Sequence, residues 1–259
     1  MGGGETHGMG AVGRVMRAAL VAALLATMTA PGLAQSSQSA ALLPDLLTVV
    51  PGALTVRGRQ AGAHLWFTNA IANVGQGVLQ IRGVTVGGTT YAYQELLNAA
   101  GQIIGSIPAG SFEFHPDHNH WHIDAVSAYT LRAGALNGPV VSEQSKVTFC
   151  LIDVEKVFPA HQGGPQHYKE CNADLQGITN GWADEYVRGL PGQQLPLGAA
   201  QAGIYYLVST SDPLNRFVEV NENDNTAWVK FELTYVNGAP KVHILESSPC
   251  EGVFCSHGP

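Results

Sequence analysis

Positive charge is scarce in this 259-residue chain, and that scarcity removes several function classes at once. Lysine and arginine together number 13 against 20 aspartates and glutamates, for a formal net charge of -7. No basic run is available to neutralise phosphates, so a nucleic-acid partner is not expected. Asn-x-Ser/Thr sequons are absent, so the chain offers no acceptor for N-linked sugar. No stretch beyond the first 34 residues sustains a helical period between caps. No segment past residue 28 is long and uncharged enough to cross a bilayer as a helix.

The one long apolar run lies at the start. Arg14 and Arg17 precede an Ala-rich apolar stretch over residues 18–28, and Pro31-Gly32-Leu33-Ala34 places small residues at the cleavage positions. This is the pattern of a secretory signal peptide over 1–34. The expected mature chain is a single domain over 35–259, secreted and free of the membrane after cleavage. A chain of that size buries an ample core. Four cysteines, Cys150, Cys171, Cys250 and Cys255, suit an oxidising compartment and allow three pairings. Proximity favours Cys150 with Cys171 and Cys250 with Cys255.

Short apolar or alternating runs recur over 64–70, 77–81, 90–96, 125–131, 146–153, 203–210, 227–236 and 241–245. Turn chemistry separates them at Val86-Gly87-Gly88, Asn137-Gly138-Pro139 and Asn237-Gly238-Ala239. The rhythm predicts an all-β fold, an antiparallel β-sandwich with long irregular loops around a metal site. Residues 155–179, rich in Gly, Pro, His and Gln, read as a long excursion near that site.

Four of the ten histidines fall in Phe114-His115-Pro116-Asp117-His118-Asn119-His120-Trp121-His122. Alternate strand residues share a face, so an extended chain here would set His118, His120 and His122 in one row, about 7 Å apart. Three neutral imidazoles without thiolate or carboxylate point to copper or zinc. His115 is either a fourth ligand or a partner of one. A polar strand face that binds metal only by accident is the alternative.

Further segments follow in order: Lys146-Val147-Thr148-Phe149-Cys150-Leu151-Ile152-Asp153, then Cys171-Asn172-Ala173-Asp174-Leu175-Gln176-Gly177-Ile178, then Gly181-Trp182-Ala183-Asp184-Glu185-Tyr186. In order and spacing these resemble the catalytic domain of the lysyl oxidase family over roughly 112–231, with Pro44-Asp45-Leu46 in addition. The resemblance implies that His118, His120 and His122 bind copper and that Lys146 and Tyr186 form a covalent lysine tyrosylquinone cofactor. It implies oxidative deamination of primary amines, as small amines or protein lysine, with dioxygen as co-substrate and ammonia and hydrogen peroxide as products. A quinone cofactor of this kind needs a base to remove the substrate's α-proton. Asp184 is the candidate, because on a strand it would share the face of Tyr186; His115 is the alternative.

Glu219-Val220-Asn221-Glu222-Asn223-Asp224-Asn225 carries alternating oxygen side chains that suit a hard cation. By the same resemblance, Asp45, Leu46, Glu219, Asn221, Asp224 and Asn225 would hold calcium. Asn221 and Asp224 exchange the aspartate and asparagine usual at those places. Asp117 and Trp182 stand where animal members carry cysteines, so two disulfides near the site are expected to be missing and the substrate entrance to differ. Two other readings stay open at this level: a copper-binding module without quinone, and a calcium-stabilised adhesion sandwich.

Overall fold

The computed structural model describes residues 40–117, 119–157 and 163–249. The proposed leader, His118, Cys250 and Cys255 lie outside them, as does the side chain of Lys146. The described residues form sixteen strands: β1 (Ala41–Leu42), β2 (Leu46–Thr48), β3 (Gly52–Arg57), β4 (His64–Asn73), β5 (Leu79–Val86), β6 (Thr89–Asn98), β7 (Ile103–His115), β8 (His120–Ala133), β9 (Val140–Phe149), β10 (Glu155–Lys156), β11 (Leu175–Ile178), β12 (Trp182–Tyr186), β13 (Gln194–Pro196), β14 (Gly203–Ser211), β15 (Thr226–Val236) and β16 (Ala239–Ser247). A single 3-10 turn at Gln60–Gly62 is the only helical element among them.

Ten strands make one sheet in the order β11-β5-β6-β7-β8-β14-β15-β16, with β1 on β6 and β9 on β8. Six make the other, β10-β12-β4-β13, with β2 and β3 also on β4. All strand pairings are antiparallel. The inner faces meet in a core where Leu65, Phe67 and Ile71 of β4 pack with Ile123, Tyr129 and Leu131 of β8 and Leu207 and Phe231. Phe67 meets Tyr129 edge to face at 4.8 Å. Apolar burial of this kind is the main stabilising term.

The two glycine-bearing hairpins form as their residues require. Gly87 and Gly88, with φ of 59° and 87°, close β5 onto β6. Asn237 and Gly238, with φ of 50° and 74°, close β15 onto β16. Both are two-residue loops in the left-handed conformation that strand twist favours.

Three details depart from expectation. The thirteen-residue β7 is broken in sequence by Gly105, Pro108 and Gly110, which hid it. The run expected over 146–153 ends as a strand at Phe149. The 155–179 excursion contains two short strands, β10 and β11.

Its path is fixed by Asp153, which is buried and accepts from the amides of His167, Tyr168 and Thr179 at 2.8, 3.1 and 2.7 Å and from the Thr179 hydroxyl at 2.6 Å. The Cys150–Cys171 disulfide is a second anchor.

Candidate metal and cofactor site

β7 and β8 form a hairpin whose last pair is His115 opposite His120. Just before β8, Asn119 has a positive φ of 54°, a conformation asparagine tolerates. β8 begins at His120, so His120 and His122 of the expected row lie on one strand two residues apart, while His118 lies outside the described residues.

Those two imidazoles converge. His120 Nε2 and His122 Nε2 stand 2.7 Å apart, close to the roughly 3 Å separating two nitrogens that each lie about 2 Å from one ion. His115 stacks on His122 with ring centroids 4.1 Å apart. Thr148, on β9, places its hydroxyl 3.0 Å from His122 Nδ1 and 3.2 Å from His115 Nε2.

The excursion locks the histidine strand from its other edge. Between the two histidines, the Trp121 amide donates to the Cys171 carbonyl at 2.9 Å, and Gln176 Nε2 donates to the Trp121 carbonyl at 2.8 Å. Gln176 is fully buried and accepts from the Leu151 amide at 3.0 Å with its other end. Thr148 and Gln176 are the positions that motif reading did not single out. Both lie inside the quoted motifs, but nothing in a one-dimensional pattern shows what a side chain crosses to reach.

Tyr186 comes from the opposite sheet, at the end of β12, and its ring stacks on Phe149 at 3.9 Å and 7°. Its hydroxyl accepts from the Cys150 amide at 2.8 Å and donates to the Cys150 carbonyl at 3.2 Å. Burial, and after it the nearby Asp184, holds the phenol well above its ordinary pKa. Lys146 is three residues before Phe149 on β9, about 10 Å along the strand.

Asp184 lies on β12, as required for it to share the tyrosine's face. It is fully buried, and neither carboxylate oxygen accepts a hydrogen bond of normal geometry. Desolvation, and next the charge of Asp153, push its pKa well above the usual carboxylate range, with the Ile152 amide acting in the opposite direction. Burial of this kind favours the neutral form of the carboxyl. A cavity of about 210 Å³ is lined by His120, Cys171, Asp184, Glu185 and Tyr186, with Ile152, Val154, Leu190 and Pro191 as its apolar wall.

A second constellation forms where the loop before β15 meets the segment leading into β2. The Leu46 amide donates to Glu219 Oε2 at 2.5 Å, Asn225 Nδ2 to Glu219 Oε1 at 2.7 Å, and the Val220 amide to the Pro44 carbonyl at 2.9 Å. Asp45 Oδ1, Asp224 Oδ1 and Asn225 Oδ1 are buried with no hydrogen-bond partner. Desolvation raises the pKa of Asp45, and desolvation with the charge of Asp45 raises that of Asp224. The Asn221 amide faces Asp45. Orphaned acceptors gathered in one place are costly unless a cation satisfies them, so this donor set fits calcium. The structure adds Asp212 and Glu222, whose carboxylates lie with that of Glu219 within 4.8 Å of one another. Asp212 reaches the cluster from just past the end of β14, ahead of the alternating run that begins at Glu219.

A model of the lysyl oxidase family matches residues 94–243, which include β7, the histidine hairpin, β9, β12 and the acidic loop. Lysyl oxidase homolog 3A of Danio rerio is 33% identical over 117 residues, covering 45% of this chain and 15% of that protein. Protein-lysine 6-oxidase of Rattus norvegicus is 30% identical over 131 residues, 50% of this chain and 30% of that protein. Lysyl oxidase homolog 1 of Homo sapiens is 32% identical over 124 residues, 44% of this chain and 21% of that protein. The chain thus spans less than a third of the length of each of these three relatives. With the matched segment covering more than half of its residues and carrying the histidine hairpin, Lys146 and Tyr186, the chain belongs to the lysyl oxidase family.

Proposed function

We propose that this protein is a secreted copper-dependent amine oxidase that deaminates primary amines, as small amines or peptidyl lysine, with dioxygen. The observation that supports this most is the shared cavity: His120, whose Nε2 converges with that of His122, and Tyr186, seated on the Cys150 backbone, line the same space. His118, His120 and His122 would hold copper, and Lys146 with Tyr186 would supply lysine tyrosylquinone. When bound, that pair supplies the redox capacity that amino-acid side chains lack.

This chain's own residues prepare the site. Phe149 and the Cys150 backbone fix the plane and the oxygen of Tyr186. The aliphatic wall of the cavity accepts the carbon chain of an amine and excludes water. Glu185, half-buried at the cavity, supplies negative charge on the side where a cationic amine enters. Asp184, two residues before Tyr186 on β12 and lining the same cavity, acts as the α-proton base in its ionised form. Calcium at Asp45, Leu46, Glu219, Asn221, Asp224 and Asn225 would tie the segment before β2 to the loop before β15. The proposed leader over 1–34 directs the domain outside the cell, where its disulfide persists.

A peroxide-coupled assay on copper-loaded protein, run in air with 1,5-diaminopentane and a lysyl peptide, tests the reading. Peroxide release that Tyr186→Phe and His122→Ala both abolish supports it. Full copper occupancy with no peroxide from any primary amine points instead to the copper-binding module.

A further inference from the structure

The Thr148 hydroxyl touches two imidazoles, and a hydroxyl carries one proton. It lies 3.0 Å from His122 Nδ1 and 3.2 Å from His115 Nε2. It can donate to only one of them and must accept from the other. Two directions for the proton chain are therefore open, and they differ at His122 Nε2. In one, His122 carries its proton on Nδ1 and gives it to Thr148, which donates onward to His115 Nε2. His122 Nε2 then keeps its lone pair. In the other, His115 donates to Thr148, Thr148 donates to His122 Nδ1, and the His122 proton moves to Nε2, where it faces His120 Nε2 across 2.7 Å. Only the first direction leaves a ligand atom at His122.

We propose that Thr148 is a positioning residue that fixes the Nδ1–H tautomer and ring orientation of His122 for copper, with His115 Nε2 accepting from the Thr148 hydroxyl. This rests on the copper reading above. Metal-bound histidines characteristically donate their second ring nitrogen to an oxygen, and that partner sets tautomer and basicity. His115 then serves through Thr148 and by stacking on His122, and its Nε2 is an acceptor instead of a ligand atom. Thr148 is two residues after Lys146 and directly before Phe149, on which Tyr186 stacks. One strand thus orients a metal ligand and carries both the lysine and the platform of the tyrosine.

Copper(II) affinity, measured by chelator competition on the wild type, Thr148→Val and Thr148→Ser, tests this. Valine has the shape of threonine without its hydroxyl; serine keeps the hydroxyl. Thr148→Val is expected to bind about 10- to 100-fold more weakly, and Thr148→Ser to lie within a few-fold of wild type. Pulsed electron paramagnetic resonance on the copper-loaded proteins should show the signal of the remote, non-coordinating imidazole nitrogen shifted in the valine variant and restored in the serine variant, which a merely structural role would not produce. Wild-type copper binding with unchanged affinity and unchanged remote-nitrogen signal in Thr148→Val overturns the proposal and leaves the copper reading standing. Failure of the wild type to bind copper overturns both. If Thr148→Val does not fold, His115→Phe interrogates the chain from its far end, keeping a stacked ring and removing the acceptor. A remote-nitrogen signal identical to wild type there overturns the proposal.

Discussion

The Tyr186 hydroxyl is held by both backbone polar groups of Cys150, accepting from the amide at 2.8 Å and donating to the carbonyl at 3.2 Å. A phenol from one sheet thereby completes the hydrogen bonding of a buried residue at the end of a strand in the other. Removing the oxygen leaves the Cys150 amide and carbonyl without those partners, at a cost of about 1–3 kcal/mol. Tyr186→Phe retains the stack on Phe149 but should be less stable by that amount in urea denaturation. A variant as stable as wild type would mean that water replaces the hydroxyl.

The Cys150–Cys171 bridge should support the histidines as well as the fold. It closes a separation of 21 residues, for which loop-closure entropy predicts about 3 kcal/mol. Cys171 also accepts from the Trp121 amide between His120 and His122. The double variant Cys150→Ala, Cys171→Ala should therefore lose stability of that order and bind copper more weakly. Loss of stability with unaltered copper affinity would separate the two roles.

Calcium should stabilise the protein through the three orphaned oxygens of Asp45, Asp224 and Asn225. At 100 times its dissociation constant a ligand adds about 2.7 kcal/mol. Thermal melts with excess calcium and with chelator should differ by several degrees, and Asp224→Ala should remove the difference. An equal chelator effect in the variant would place the ion elsewhere.

Asp184 should make stability fall as pH rises. Its folded pKa is raised well above the ordinary value by burial, so it stays protonated in the fold where the unfolded chain ionises. The folded state is favoured fully below the unfolded pKa, near about 4. That advantage is lost progressively as pH climbs from there toward the raised folded pKa. Asp184→Asn removes the titration, so its stability relative to wild type should grow between pH 4 and 8 in denaturant titrations. A difference independent of pH would show that Asp184 is ionised in the fold.

Periodicity revealed the long hairpin strands because alternation and Gly-Gly or Asn-Gly turns are local signals. β7 escaped it, since glycines and a proline interrupt a strand that its neighbours stabilise. The spacing of two between His120 and His122 was legible as local alternation, because both lie on β8. Lys146, Tyr186 and Asp184 were legible as motif residues. Thr148 and Gln176 were not, because their roles arise from contacts made across tens of residues of sequence, and Asp212 was not, because it lies outside the alternating run it joins.

Lys146 and Tyr186 should become one cofactor under copper and air. Peptide mapping by mass spectrometry of copper-loaded protein, beside Lys146→Ala, addresses this most directly. A covalent peptide joining Lys146 to an oxidised Tyr186 ring, absent from the variant, is the expected result. Unmodified Lys146 and Tyr186 peptides at full copper occupancy would contradict it.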